Sequence, residues 1–149
     1  MKAADPDLVV AAARRWLGTP YHDQASVRGV GCDCLGLARG VWREVVGPEP
    51  FPIPPYTRDR GETGPHQVLV EGARAAMIEI APPEAGSGAL LLFRMRPGAI
   101  VKHIGIVLPE SRLIHAYERL GVVEEALTPA WRRRTAFAFL FPRMKGDVR

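Results

Sequence analysis

The chain has only two cysteines, Cys32 and Cys34, set in a C-x-C arrangement. Such a pair makes no disulfide framework, and its spacing departs from the C-x₂₋₄-C pattern of structural zinc sites. Cys32 and Cys34 with His103 and His115 remain as a competing reading of two sulfurs and two nitrogens around a metal. Aromatic residues are scarce, at 7%, and none interleave with the basic residues, which argues against nucleic-acid binding. No apolar run approaches the roughly 20 residues that a membrane-spanning helix needs. Residues 1–16 carry Asp5 and Asp7 and lack the apolar stretch of a signal peptide. The expectation is a chain without a signal peptide or membrane segment, made in the cytoplasm. There is no internal repeat and no low-complexity segment.

What is present is enough apolar material for a core: 47% of 149 residues are hydrophobic, which reads as one domain spanning 1–149. The net charge of +4 is modest. Its densest cluster is Arg132-Arg133-Arg134, followed by Arg143, Lys145 and Arg149. That cluster reads either as a solvated basic face or as a docking surface for a partner or an anionic polymer.

The first half of the chain is helical in pattern. Asp5-Pro6 is an N-cap acid with proline at the first helical position, and Leu8, Val9, Ala12, Ala13, Trp16 and Leu17 form a stripe ended by Gly18. A polar loop runs from Thr19 to Gly31. A second helix begins at Cys34 and stops at Gly47-Pro48. Five prolines in the nine positions from Pro48 to Tyr56 make an extended connector. A third helix is predicted from about Gly64-Pro65 to Met77. The second half is different: Ala89–Phe93, Ile100–Leu108, Arg112–Tyr117, Val122–Leu127 and Thr135–Phe141 are short, apolar and bounded by turns. They read as five strands of a mainly antiparallel sheet of five to six strands, with one helical turn at Pro129-Ala-Trp131. The class is α+β, helices covering one side of the sheet.

Within this frame the stretch Gly31-Cys-Asp-Cys-Leu-Gly-Leu-Ala38 places Cys34 at the first turn of an amphipathic helix. Unpaired N–H groups and the positive end of the helix dipole favour a thiolate there. The position suits a small buried hydrophobe equally well. A cysteine nucleophile needs a base, and the base needs a third polar group to hold its ring. Alternation puts His103, Gly105 and Val107 on one face of their strand, and Leu113, His115 and Tyr117 on one face of the next. The short turn Pro109–Ser111 makes the two strands antiparallel neighbours. Both histidines are then expected on the face covered by the Cys34 helix. His22 and His66 read as ordinary polar residues.

Gly18-Thr-Pro-Tyr21, Gly31-Cys-Asp-Cys-Leu-Gly-Leu37, Lys102-His-Ile-Gly-Ile106 and Leu113-Ile-His-Ala116 together resemble the NlpC family of cell-wall cysteine peptidases, in the family's order. The resemblance runs from about Ala11 to Pro142 and implies a papain-like fold. Val122-Val-Glu124, Trp131 and Ala136-Phe-Ala-Phe-Leu-Phe-Pro142 are similar to the ending of the branch found in tailed phages and gene transfer agents. The resemblance implies Cys34 as nucleophile, His103 as general base and His115 as the residue orienting it. It implies that Tyr21 reaches the active site and that Asp33 serves the substrate side. No cofactor and no metal are implied. Leu35 departs from the serine common after the nucleophile, where it helps bind a free amino end, and this favours wall-attached stem peptides. Cys32 matches no catalytic position and reads as a loop residue, buried or oxidisable.

The implied function is a peptidoglycan endopeptidase cutting stem peptides at the bond between D-glutamate and the diamino acid. The implied setting is a phage tail or gene transfer agent particle, with tail-tip or baseplate proteins as partners and the periplasmic wall as the place of action. The competing functions are a non-enzymatic tail-tip adaptor and an amidase or acyltransferase on the same fold.

Overall fold

A computed structural model describes residues 1–56 and 67–144. Helix α1 spans Pro6–Arg14, with Asp5 capping it by accepting from the Asp7 N–H at 2.9 Å. Helix α2 spans Cys34–Val45 and buries Leu37, Ala38, Val41 and Val45. The two helices pack closely because Gly40 leaves room: a Cβ there would collide with the Trp16 ring. Between them lies a hairpin, β1 (Ser26–Val27) paired with β2 (Gly31–Cys32). The expected third helix is a π-helical turn at Gln67–Glu71 followed by α3, Gly72–Ala76. Its expected start at Gly64-Pro65, together with His66, Lys145 and Arg149, lies outside the described residues.

The sheet has six strands in the order β3-β8-β4-β5-β6-β7, every neighbouring pair antiparallel. The strands are β3 (Ile78–Ile80), β4 (Leu90–Arg94), β5 (Val101–Leu108), β6 (Arg112–Tyr117), β7 (Gly121–Ala126) and β8 (Thr135–Leu140). The strand absent from the sequence reading is β3, three residues that follow α3 with only Met77 between and pair with β8 at the sheet edge.

Alternation along the strands builds two cores. Val101, Ile104, Ile106, Leu108, Ile114 and Leu92 pack under α1 and α2. The opposite face, expected to be uncovered, buries Leu91, Phe93, Val107 and Leu113 beneath Trp131 and Leu127. Helix α4, Pro129–Arg134, carries Trp131 and is capped by Thr128, which accepts from the Trp131 N–H at 3.3 Å. Two irregularities shape the site. The β4–β5 register shifts so that Arg94 faces Val101 while Phe93 faces His103. This bulge sends Val101 into the helix-side core although it is two residues from His103. The β5–β6 ladder covers only Ile106–Leu108 and Arg112–Ile114, so the strands part before reaching His103 and His115.

Candidate active site

Asp33 starts the local structure. Its Oδ1 accepts from the Gly36 N–H at 2.7 Å, closing the N-cap of α2. Its Oδ2 accepts from the Gln24 N–H at 2.7 Å and from the Tyr56 hydroxyl. The residue is 2% exposed, and both oxygens are taken up within the chain. Asp33 thereby clasps helix, loop and connector together. Tyr21 forms a parallel bridge with Cys32 and packs half-buried against the helix-side core. Cys32 itself is fully buried in that core.

The cap leaves Cys34 as the first residue of α2. Its thiol donates to the Lys102 carbonyl at 3.9 Å. The N–H groups of Ile104, Leu35 and Cys34 are directed at the sulfur and favour the thiolate. Burial outweighs them, reinforced by the Asp33 carboxylate, and pushes the thiol up to about 12. This reverses the expectation of a lowered cysteine pKa. The helix start supplies donors, but it also lies in an apolar wall with a fixed anion beside it. The sulfur thus sits against Lys102 and Ile104, the residues on either side of His103.

The histidines do share a face, but not the expected one. His103 and His115 lie on the Trp131 side of the sheet, because Val107 and Leu113, which share their parity, belong to the core there. His103 Nε2 is 2.7 Å from His115 Nδ1. His115 Nε2 is 2.8 Å from Glu125 Oε2, and the Trp131 indole N–H donates to Glu125 Oε1 at 3.1 Å. Phe93 stacks on His103 with ring centroids 5.9 Å apart, and Trp131 meets His115 edge-on at 5.2 Å. Burial, then the neighbouring His115, lowers His103 to about 3. Burial also lowers His115, against the raising effect of Glu125. Both rings are neutral at ordinary pH. Burial works to raise the Glu125 pKa, but the His115 and Trp131 bonds hold it low and the group ionised.

The sequence reading missed Tyr56 and Glu125. Tyr56 carried a faint signal, a tyrosine closing a proline run; Glu125 is one of two consecutive acids, and only the strand register selects it. Among the described residues no group of three or more His, Cys, Asp or Glu side chains is arranged to hold a metal ion. Among the same residues no helix is long and apolar enough to cross a membrane.

No protein-family model matches the chain. A 120-residue stretch is 27% identical to the murein DD-endopeptidase MepS/murein LD-carboxypeptidase of Escherichia coli K12, covering 80% of this chain. The match spans 54% of that relative, so the chain corresponds to about half of its length. The NlpC/p60 domain of the peptidoglycan hydrolase SagA superposes with a TM-score of 0.63 at 26% identity, covering 91% of this chain and 97% of that one. The peptidoglycan hydrolase RipB of Mycobacterium tuberculosis superposes with a TM-score of 0.62 at 20% identity, covering 93% and 65%. The chain has the NlpC/p60 fold.

Proposed function

We propose that this NlpC/p60-fold chain is a cysteine peptidase that hydrolyses peptide bonds of peptidoglycan. The observation that carries the reading is Cys34 at the first turn of α2, its sulfur against the backbone on both sides of His103, whose ring is held by His115. In the proposed reaction the Cys34 proton passes to His103 Nδ1 as the sulfur bonds to the peptide carbonyl carbon. A thiol resting in the neutral state makes this transfer part of the attack. The N–H of Cys34, not consumed by the cap, donates to the developing oxyanion. The C–N bond breaks as His103 returns the proton to the leaving amine. Water then adds to the thioester, giving its proton to His103, and the thiol reforms as the acid departs.

We further propose the bond between D-glutamate and the diamino acid as the target, on the strength of the motif resemblance. The likeness of the segment from Val122 to Pro142 to the phage and gene-transfer-agent branch supports delivery by a phage-like particle. In that setting the protein is made in the cytoplasm, docks to tail-tip proteins and acts on the periplasmic wall. The test is digestion of purified sacculi followed by product analysis. Release of a new diamino-acid amine, lost in Cys34→Ala, supports the reading. Intact sacculi, or cleavage of the amide joining glycan to peptide, would replace it with the adaptor or amidase reading.

A further inference from the structure

We propose that Glu125 is a positioning residue that sets which nitrogen of His103 carries the proton, acting through His115. It rests on the cysteine chemistry proposed above. An ionised carboxylate only accepts hydrogen bonds, so the His115 nitrogen facing Glu125 at 2.8 Å, Nε2, carries the hydrogen. In the neutral ring Nδ1 is then a bare acceptor. His103 faces that acceptor at 2.7 Å through Nε2, which must therefore be the protonated nitrogen. The remaining nitrogen, Nδ1 of His103, is left bare, and a base that takes the Cys34 proton needs a bare nitrogen. The Trp131 indole N–H fixes the other carboxylate oxygen at 3.1 Å, so the carboxylate cannot turn away. Tyr117, whose ring lies 5.3 Å from that of His115, completes the surroundings of the pair.

Glu125→Gln tests this. A glutamine amide offers one acceptor to two donors, the Trp131 and His115 N–H groups. It must either drop the indole or present its NH₂ to His115 and reverse both rings. A reversed tautomer in a serine triad costs about 10⁴ in kcat; since glutamine can partly keep the original arrangement, a loss of about 10² is expected, with KM nearly unchanged. Nitrogen-15 NMR of histidine-labelled protein should show His103 protonated at Nε2 in the native chain and a growing Nδ1-protonated share in the variant. Native His103 protonated at Nδ1, or a variant with native tautomers and less than twofold loss, overturns the proposal. Should Glu125→Gln fail to fold, the native spectrum alone decides. Should the native protein cut no peptidoglycan, the proposed function fails, and the spectrum still reports on Glu125.

Four arginines carry a second, independent inference. Arg94, Arg96, Arg133 and Arg134 line a cleft of about 570 Å³ beside Met95 and Pro97. Among the described residues none of the four is ion-paired with a carboxylate. Arg134 lies over the ring of Trp131 at 5.3 Å, and Trp131 in turn packs against both histidines. Resting on the peptidoglycan reading above, we infer that it holds carboxylates of peptidoglycan stem peptides. Guanidinium forks match carboxylates, and a cross-linked wall presents them repeatedly. Inactive Cys34→Ala protein is bound to sacculi freed of phosphate polymers. Adding either Arg96→Gln or Arg133→Gln, both at exposed positions, should weaken binding about tenfold, while Arg132→Gln, the same charge change outside the cleft, should not. Amidating the sacculus carboxylates should weaken native binding equally. Undiminished binding in either arm, or equal loss with Arg132→Gln, overturns the inference.

Discussion

The hydroxyl of Tyr56 donates to the carboxylate oxygen of Asp33 that does not cap α2. Its backbone N–H also reaches the Gln24 side-chain oxygen, at 3.3 Å. The proline-rich connector is thereby fastened beside Cys34. Tyr56→Phe removes one charge-assisted bond from a half-buried site and should cost about 1 kcal/mol of stability. Denaturant midpoints check the cost. An unchanged midpoint would mean the hydroxyl is replaced by solvent without penalty.

Cys34 should react as a thiol at pH 6. With its pKa pushed to about 12, alkylation should speed up roughly tenfold per pH unit between pH 7 and 10. Cys32 is fully buried and should label only on unfolding. A plateau in Cys34 labelling below pH 8 would reveal a stable thiolate–imidazolium pair instead.

The histidines should differ in severity. His103→Ala removes the proton carrier and should lower kcat by about 10²–10⁴. His115→Asn or His115→Gln can still accept from His103 and should keep a measurable fraction. Equal inactivity of His115→Gln and His103→Ala would exchange or merge the two roles.

Acid should destabilise the fold. His103 is held down to about 3 by burial and His115, against an ordinary 6.5, so between these values the unfolded chain binds a proton that the folded chain refuses. Stability is complete above pH 6.5 and falls as pH drops through this window, by about 1.4 kcal/mol per pH unit for one proton. Unfolding free energies at pH 7.5 and pH 5 should differ by about 2 kcal/mol. His103→Gln should flatten the difference.

Leu35 bears on substrate choice. It lines an apolar cavity of about 80 Å³ together with Ala38, Leu92 and Ile104, and offers nothing to a charged amine. Stem peptides still attached to glycan should be cut at least as well as free ones. The ratio of kcat/KM for the two decides. A tenfold preference for the free peptide, about 1.4 kcal/mol, would show that the amine is recognised.

Much of this was legible because it is local. The apolar steps after Cys34 announce a helix, and alternation with a short turn pairs His103 with His115. Alternation says which residues share a face but not which face. That choice depended on Trp131, brought over the sheet by a helix the sequence shows only as a turn. The β5 bulge puts Val101 and His103 on opposite sides, which simple alternation forbids. Glu125 and Tyr56 reach the site through register and connector path, neither written in nearby residues.

The sheet also works as a partition. Cys34 rests on the hydrophobic layer beneath α1 and α2, whereas the His103 ring is braced by Phe93 and Trp131 in the layer behind. The two halves of the chemistry are thus anchored in separate cores, and the Cys34 thiol reaches the β5 backbone at Lys102, beside His103. Damage to either layer shifts one partner relative to the other. Substitutions far from both, at Gly40 under Trp16 or in the cap of α4, should therefore mistune activity before they unfold the chain.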